Sequence, residues 1–369
     1  MYNENKNTFF NPNRVFKTIK SYKEKLSKYS PCIVYNTEYI LEIVNYIKEI
    51  IPKQMSFKLL YAMKANSNYD ILKKLYDIID GVDVASEYEL HKAKNVFPNE
   101  KISINGPYFS IEQVNNFIES GIKVDINSID YFKGLNKNKN IGIRVSDFND
   151  FGIRSSRFGI NVFEENIEKY LADFSINRIH LHFGIKDYKF IIKLEKILNR
   201  LKNLNMLDEI NEINIGGGFH NLFIEGKLEI FFDNLYKMLC KFNIQNTITV
   251  VIEPGYLIVN YSGFLFSTVT SSYIENSIQN VSIDSSIYKN TLWFKPKILT
   301  ILTNMSKNDN LFTTNIFGNT CFEDDKYDYD LNYKKIDRGD KIIFYPVGAY
   351  VKSNHSNLHG DKFMKEIYI

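Results

Sequence analysis

Four clusters of lysine, histidine, glycine and glutamate stand out because each one follows or ends a short apolar run. Lys64 follows a run in the segment YAMKAN, His182 ends one in HLHFG, and Glu253 ends one in VIEPG. A glycine triplet at 216–218 follows a fourth run in INIGGGF. If these runs are neighbouring parallel strands, their carboxyl ends share one mouth, and the four groups meet in one cavity.

These residue types together suit a pyridoxal phosphate site. A lysine that is partly removed from water has a lowered pKa and can form a Schiff base with an aldehyde cofactor. Glycines at a tight turn let backbone N–H groups approach a phosphate closely. A carboxylate such as Glu253 can hold a pyridine nitrogen protonated, which makes the ring a stronger electron sink, and an imidazole can stack on the ring.

Each of these residues has a simpler interpretation when it is taken alone. Lys64 could be a surface amine, the glycine triplet a tight turn, and Glu253 a residue at the end of a loop. In the alternating segment HLHF, one of His180 and His182 is expected to point away from the lumen. Their shared placement at strand ends favours the functional interpretation of the group.

The elements that must position these residues alternate along the chain from Lys58 to about Glu253. Eight apolar runs resemble strands: Phe57–Ala62, Val82–Val84, Ile102–Ile104, Val124–Ile126, Ile141–Val145, Ile179–Phe183, Ile213–Ile215 and Val250–Ile252. Segments of helical period lie between them: Asp70–Ile79, Glu87–Val96, Ile111–Ser120, Ile129–Leu135, Tyr188–Leu204 and Leu228–Phe242. This alternation predicts a closed (β/α)₈ barrel of the α/β class, with a doubly wound open sheet as the alternative.

The rhythm changes after Glu253 to short β-rich segments separated by turn residues, which predicts a mostly antiparallel β domain. The segments are Leu257–Tyr261, Phe264–Thr270, Val281–Ile283, Leu299–Thr303 and Lys341–Tyr345. The stretch Pro31–Asn36 is a further strand candidate, which we expect to join this second sheet. We therefore predict a cofactor-binding barrel over residues 37–256 and a β domain made of residues 1–36 and 257–369.

Composition excludes several classes of function. With 46 basic and 43 acidic residues in 369, the net charge of +3 is too small to indicate a nucleic-acid or membrane-surface partner. No apolar run approaches the ~20 residues that span a bilayer, and the amino-terminal segment lacks the features of a secretory signal. Cys32, Cys240 and Cys321 lie far apart, without metal-ligand spacing. These features predict a cytoplasmic protein with no structural metal and no disulfide framework.

The motifs, taken in order, make the sequence resemble the fold-type III pyridoxal-phosphate decarboxylases. This family includes ornithine, lysine/arginine and diaminopimelate decarboxylases and, more distantly, alanine racemase. The matching segments run through almost the whole chain: CIVYN, YAMKAN, GVDVASEYEL, SRFGI, HLHFG, INIGGGF, IEPG, GNTC and GAY. The resemblance implies an alanine-racemase-type barrel followed by a β domain, pyridoxal 5'-phosphate as cofactor, a small amino acid as substrate, and a homodimer with shared active sites.

The resemblance also implies roles for individual residues. Lys64 is similar to the Schiff-base lysine, and Cys321 to the cysteine that returns a proton to the carbon that has lost carbon dioxide. The implied cofactor contacts are Lys64, Asp83, His182, Gly216, Gly217, Gly218, Glu253, Tyr256 and Tyr350. Asp325 corresponds to an acidic position near the distal end of the substrate. Phe322 and Lys295 are further expected substrate contacts.

The chain departs from the family's pattern at several positions. Ile185 stands where a phosphate-binding serine is usual, and Tyr256 stands where an arginine is usual. Phe322 replaces a glutamate that is frequent in diaminopimelate enzymes, and Leu358 replaces an aromatic residue. Loss of a charge-assisted contact typically costs ~1.5–3 kcal/mol, so a weaker cofactor site is expected unless other groups compensate.

These departures argue against diaminopimelate as the substrate, because the guanidinium expected to hold its distal carboxylate is absent. The sequence favours decarboxylation of a basic diamino acid of the ornithine type, or of its citryl conjugate as in siderophore assembly. Basic residues in the segments expected at the mouth suit such a polyanion: Lys295, Lys352, His355 and His359. Diaminopimelate decarboxylase remains the first alternative.

Two other classes of function remain open. The first is a catalytically inactive homologue that acts in binding or regulation, which the altered phosphate contacts favour and Lys64 and Cys321 oppose. The second is an amino-acid racemase. Racemase relatives carry an arginine facing the pyridine nitrogen and a tyrosine as the second acid, so Glu253 and Cys321 favour the decarboxylase. A single-domain cofactor carrier would lack the whole region after Glu253.

Overall fold

The computed structural model describes residues 12–137, 140–149, 151–289, 296–303, 310–360 and 362–369. The chain divides into two compact units, each of which is described by itself. The barrel unit is Ile43–Leu257, and the sheet unit combines Met1–Glu42 with Ile258–Ile369. Within the described ranges, no helix has both the length and the apolar character needed to cross a membrane.

The barrel unit contains a closed barrel of eight parallel strands, as the alternating pattern predicts. With strands numbered along the whole chain, these are β2 (Phe57–Ala62), β3 (Gly81–Val84), β4 (Ile102–Asn105), β5 (Lys123–Ile126), β6 (Asn140–Arg144), β7 (Ser175–His180), β8 (Glu212–Asn214) and β9 (Thr249–Ile252). Each strand pairs with the next, and β9 pairs with β2 to close the ring. All strand carboxyl ends therefore open on the same mouth.

Helices and short turns connect the strands. The helices, also numbered along the chain, are α1 (Pro12–Lys28), α2 (Thr37–Ile50), α3 (Tyr69–Leu75), α4 (Glu87–Lys94), α5 (Ile111–Glu119), α6 (Glu168–Leu171), α7 (Tyr188–Asn203), α8 (His220–Ile224), α9 (Leu228–Lys241) and α10 (Tyr256–Val259). Helix α7 begins where the Asp187 carboxylate accepts the Phe190 N–H at 3.1 Å. Residues three and four apart, among them Phe190, Leu194 and Leu198, form its buried face.

The sheet unit is built on an eight-stranded, mostly antiparallel sheet. Its strands are β1 (Cys32–Tyr35), β10 (Gly263–Glu275), β11 (Ile278–Ile283), β12 (Lys297–Leu302), β13 (Leu311–Phe317), β14 (Lys326–Lys334), β15 (Lys341–Tyr345) and β16 (Lys365–Tyr368). The order is β12-β15-β10-β11-β13-β14, and β1 pairs with both β10 and β16. The expectation that the early strand joins the second sheet is confirmed, with Cys32 opposite Phe266.

Two of the predicted elements differ from the structure. Leu257–Tyr261 was expected to be extended, but it lies in α10 and in a 3₁₀ turn at Asn260–Ser262. A short apolar run that is buried on all sides has no periodicity to separate helix from strand. The expected helix at Ile129–Leu135 is a 3₁₀ helix, Ile129–Lys133.

Candidate active site at the mouth of the barrel

Lys64 and Asp83 form the first pair at the mouth. Lys64 lies in a one-turn 3₁₀ helix directly after β2, and its Nζ is 3.9 Å from Oδ2 of Asp83 on the neighbouring strand β3. Asp83 is only 2% exposed, and its Oδ1 accepts no hydrogen bond from any described residue. Burial raises the pKa of Asp83 to about 6, although the charge of Lys64 opposes the shift. The pair therefore combines an amine with a carboxylate whose hydrogen bonding is incomplete.

Glu253 directly follows β9 and is buried among polar groups. Its Oε1 accepts a hydrogen bond from the Asn214 side-chain amide at the end of β8, and its Oε2 lies 3.5 Å from Nε2 of His180. Burial raises the pKa of Glu253 well above its usual range, and the negative charge of Asp83 adds to the effect. The raised pKa favours the protonated acid, which can donate to the imidazole nitrogen that faces it.

His180 connects Glu253 to an ionised carboxylate deeper in the barrel. Its Nδ1 is 2.9 Å from Oδ2 of Asp125, and Asp125 also accepts from Nε of Arg178 at 2.6 Å. Burial lowers the pKa of His180 to about 4, despite the opposing effect of Asp125. Although burial alone would raise the pKa of Asp125, Arg178 and His180 lower it to about 2. The imidazole is therefore neutral, with a proton on Nδ1 for Asp125, while Nε2 accepts from the Asn105 side-chain amide at 3.4 Å and faces Glu253.

His182 lies in the same cluster, contrary to the expectation that one of the two histidines points away. One ring nitrogen of His180, one of His182 and one carboxylate oxygen of Glu253 all lie within 4.8 Å of one another. Strand β7 ends at His180, so the alternation of side chains stops before His182 is reached. Burial, with the charge of Lys64, lowers the pKa of His182 well below its ordinary value, so this ring is also neutral.

The glycine turn after β8 has no space for side chains. The Gly217 N–H donates to Nδ1 of His182 at 3.3 Å, and the Gly216 N–H donates to Oδ1 of Asn214 at 2.8 Å. A Cβ at Gly216 would lie 2.4 Å from His182 Nδ1, and one at Gly218 would lie 1.9 Å from the Gly184 carbonyl oxygen. Gly216 and Gly218 also have φ of +67° and +91°, which L side chains rarely adopt.

Two residues that differ from the usual family pattern, Tyr256 and Ile185, lie near this turn. Tyr256 begins α10, and its ring meets the His220 ring edge-on, with 4.8 Å between centroids. Ile185, in the loop after β7, is 63% exposed. The next residue, Lys186, is 1% exposed.

The remaining predicted site residues belong to the sheet unit. Cys321 is exposed, and its N–H donates to Nε2 of His359 at 3.3 Å. Phe322 is 56% exposed. Tyr350 adopts a φ of +61°, which is unusual for an aromatic residue. Lys295 lies outside the described residues.

Asp325 organises the loop that carries Cys321. Its buried carboxylate accepts hydrogen bonds from the Ile287 N–H at 2.9 Å and from the N–H and hydroxyl of Thr320 at 3.0 and 2.7 Å. Its carbonyl oxygen accepts from the Gly318 N–H at 2.7 Å. These bonds give Asp325 a role within its own loop, and contact with a substrate stays a prediction.

Sequence reasoning missed several polar residues of the mouth and of the barrel interior. His180 and Asn214 end strands β7 and β8, so the signal that identified Glu253 also applies to them. Asp125 on β5 and Arg178 on β7 carry no comparable signal, because charged residues within a strand are usually solvated. Lys186 is likewise indistinguishable from a surface lysine in the sequence.

Comparison with known proteins shows the family. A family model described as "Pyridoxal-dependent decarboxylase, pyridoxal binding domain" matches residues 39–260, which is more than half of the chain. The chain belongs to this family. It is a decarboxylase that uses pyridoxal 5'-phosphate, as the strand-end residues predict.

The chain is similar to curated and solved decarboxylases over nearly its full length, and the solved structures share its fold. The chain is 25% identical to a diaminopimelate decarboxylase of Helicobacter pylori, over 97% of this chain and 92% of that protein. The solved diaminopimelate decarboxylase of Methanocaldococcus jannaschii in complex with L-lysine has a TM-score of 0.79 at 23% identity, covering 95% and 89% of the chains. The Paramecium bursaria Chlorella virus arginine decarboxylase has a TM-score of 0.79 at 17% identity, covering 97% and 100%.

The residues of the barrel mouth fit pyridoxal phosphate. Lys64 offers the amine that would hold the cofactor's aldehyde, and the backbone of the glycine turn, which carries no side chains, would approach its phosphate closely. When bound, the cofactor supplies an electron sink for the pair left behind as carbon dioxide departs. Glu253 would hold a proton at the cofactor's ring nitrogen, and Asn214 and His180 contact its carboxyl group and keep it in position.

The glycine turn gives a prediction with a matched control. We expect Gly218→Ala to lower affinity for pyridoxal phosphate by more than about tenfold, since the new methyl group would displace the Gly184 carbonyl. It should also destabilise the fold by more than the ~1–2 kcal/mol of an unfavourable φ. Gly121→Ala is the control, because Gly121 has a similar φ of +84° with no atom within 4 Å of the new Cβ. Titration with cofactor and denaturant unfolding measure both effects, and equal cofactor affinity in the two variants would contradict the prediction.

Proposed function

We propose that this decarboxylase removes the α-carboxylate of a basic diamino acid of the ornithine type, either free or as its citryl conjugate. The observation that carries the proposal is Tyr256, because the position after Pro254 and Gly255 lacks the guanidinium that would pair with a distal carboxylate. A phenol that packs against His220 can donate one hydrogen bond but supplies no charge.

Diaminopimelate is the second candidate substrate. The names of similar proteins favour it, since the relative from Helicobacter pylori that matches 97% of this chain is a diaminopimelate decarboxylase. Because residue 256 is a tyrosine and not an arginine, the distal carboxylate of diaminopimelate would then have to pair with another cation.

We further propose that Cys321 returns the proton to the carbon that has lost carbon dioxide, and that the active protein is a homodimer in which Cys321 and Tyr350 serve the partner's barrel. Two observations support the first part. Cys321 is exposed, and the buried carboxylate of Asp325 holds the loop that carries Cys321 in one arrangement. The unusual backbone of Tyr350 supports a constrained functional position. The resemblance to the family supports the shared site.

A substrate panel tests the proposed specificity. The purified protein, supplied with pyridoxal phosphate, is assayed with ornithine, lysine, citryl-ornithine and diaminopimelate, and carbon dioxide and the amine product are both measured. We expect kcat/KM for ornithine or its conjugate to exceed that for diaminopimelate by at least tenfold, about 1.4 kcal/mol. The reverse order would establish the second candidate.

Two further outcomes would overturn the proposal more broadly. Exchange of the α-hydrogen with inversion and without carbon dioxide would indicate a racemase. Absence of carbon dioxide from every compound, with no visible absorbance after addition of the cofactor, would indicate an inactive homologue.

A further inference from the structure

The loop between β7 and α7 turns a lysine inward beside the glycine turn. Ile185, at the position of the usual phosphate-binding serine, is exposed, whereas Lys186 is fully buried. The Lys186 N–H donates to the Gly218 carbonyl oxygen at 2.9 Å, so the loop and the glycine turn are joined directly. The inward position in this loop therefore belongs to a lysine rather than to residue 185.

The ammonium group of Lys186 lies in an environment that does not satisfy it. Its Nζ is buried and makes no hydrogen bond to any described residue. It lies 4.5 Å from the ring centroid of Phe190 and 5.8 Å from that of Phe219, which directly follows Gly218. Aromatic faces attract a cation, but they accept none of its three hydrogen bonds. A buried ammonium without hydrogen-bond acceptors is costly, so an anion at this point would be stabilising.

The charges around Lys186 do not provide that anion. Asp147 and Asp187 act on the lysine through their charge, and Glu253 does so when it is ionised, but none of the three accepts a hydrogen bond from its Nζ. Asp147 is paired with Lys193, and Asp187 caps helix α7. Burial lowers the pKa of Lys186 to about 7 despite these acidic groups. A dianion would restore the charged form, because an adjacent negative charge raises a lysine pKa.

We propose that Lys186 is the cationic contact for the phosphate group of pyridoxal phosphate in this chain. It would take over the function of the serine and arginine whose positions are occupied here by Ile185 and Tyr256. The glycine turn supplies close backbone approach, and the lysine supplies the positive charge that a phosphate dianion requires. This proposal concerns only binding of the cofactor, so its test does not depend on which amino acid is decarboxylated.

Comparison of pyridoxal phosphate with pyridoxal, which lacks the phosphate, tests this assignment. The cofactor-free protein and its Lys186→Met variant are titrated with each compound, and binding is followed by absorbance. We expect Lys186→Met to weaken binding of pyridoxal phosphate by about 10- to 100-fold, which is the range for one charge-assisted hydrogen bond. Binding of pyridoxal should change less than twofold. Methionine fits the aromatic surroundings, so the variant should unfold at a temperature no lower than the parent protein.

Lys193→Met is the matched control, because Lys193 also lies over aromatic rings, those of Phe148 and Phe183, but has its own carboxylate partner in Asp147. Lys193→Met should leave the ratio of the affinities for pyridoxal phosphate and pyridoxal unchanged. An unchanged affinity for pyridoxal phosphate in Lys186→Met would assign the lysine to packing on its aromatic neighbours and overturn the proposal. Equal weakening of both compounds would do the same, since it would indicate a general distortion of the site.

A second variant and a second probe keep the test decisive if Lys186→Met does not fold. Lys186→Gln removes the charge and retains a hydrogen-bond donor, and it should show the same selective loss. Inorganic phosphate alone should raise the unfolding temperature of the cofactor-free parent protein more than it raises that of Lys186→Gln. If phosphate stabilises both proteins equally, Lys186 does not bind it and the inference is wrong.

Discussion

Replacing Lys64 with alanine is expected to abolish decarboxylation, with a loss on the order of 10³-fold or more in kcat/KM. Lys64 directly follows β2, and its Nζ lies 3.9 Å from Oδ2 of Asp83, where the described residues form no second ion pair with this carboxylate. The variant should also lose the visible absorbance of lysine-linked cofactor, which a general loss of activity would not explain. Steady-state kinetics and an absorbance spectrum of the purified variant measure the two effects.

The control for Lys64→Ala is Lys74→Ala, since Lys74 is an exposed lysine in α3 on the same barrel unit. It should retain both activity and absorbance. The same Lys64 variant tests the proposed homodimer when it is mixed with Cys321→Ala chains. If the sites are shared between subunits, mixed dimers contain one intact site and recover activity that neither variant has alone. Failure of the mixture to gain activity would contradict shared sites, while retained activity in Lys64→Ala alone would contradict the assigned role of Lys64.

Replacing Glu253 with glutamine is expected to change activity and stability in opposite directions. The amide cannot transfer a proton to the ring nitrogen, so kcat should fall by roughly 10²- to 10⁴-fold. Stability of the cofactor-free protein should rise at neutral pH. Because the folded pKa of Glu253 is raised, its stabilising contribution is complete below the unfolded pKa and is lost as pH increases through the folded value. Glutamine keeps the hydrogen bond from Asn214 and the contact with His180 without that loss.

Glu212 provides a matched control at the opposite end of the barrel. It is also a buried glutamate, but it is ion-paired with Lys123 at 2.7 Å and with Lys58 at 3.2 Å. Burial alone would raise the pKa of Glu212, but Arg178 and Lys123 lower it, so its contribution is present above the unfolded pKa and is lost as pH falls. Glu212→Gln should therefore lower stability at neutral pH and leave kcat close to that of the parent protein.

Denaturant unfolding of the cofactor-free variants between pH 5 and pH 8, with kinetics of the holoenzymes, measures these effects. The decisive result is the crossed pattern: Glu253→Gln is more stable and inactive, and Glu212→Gln is less stable and active. A loss of stability in Glu253→Gln at neutral pH would show that Glu253 is held as an ionised carboxylate, contrary to the raised pKa. An unchanged kcat in Glu253→Gln would show that Glu253 is not a catalytic residue.

Much of the barrel, and strand β15 of the sheet unit, could be predicted because these strands are mostly buried and mostly apolar runs bounded by polar residues. The β15 boundaries agree at both ends with the expected Lys341–Tyr345, and β2 agrees with Phe57–Ala62. The elements that the sequence analysis did not predict lack this contrast between buried apolar runs and polar flanking residues. Strands β13 and β14 mix exposed and buried positions, so their hydrophobic pattern is weak over short windows.

The sequence by itself determined where Lys64, the glycine triplet and Glu253 stand relative to the strands, since a polar residue after an apolar run marks a strand end. In parallel strands that position implies a common mouth whatever the register. These local patterns were sufficient to indicate pyridoxal phosphate chemistry.

Only the tertiary structure decided which polar side chains are buried and what they contact. Both histidines of HLHF face Glu253 because β7 ends between them, and Lys186 is buried while Ile185 is exposed because the loop packs against Gly218. Asp325 holds its own loop through Ile287 and Thr320. Burial, and with it pKa and ligand preference, depends on residues brought close from distant parts of the chain, which periodicity along the sequence does not encode.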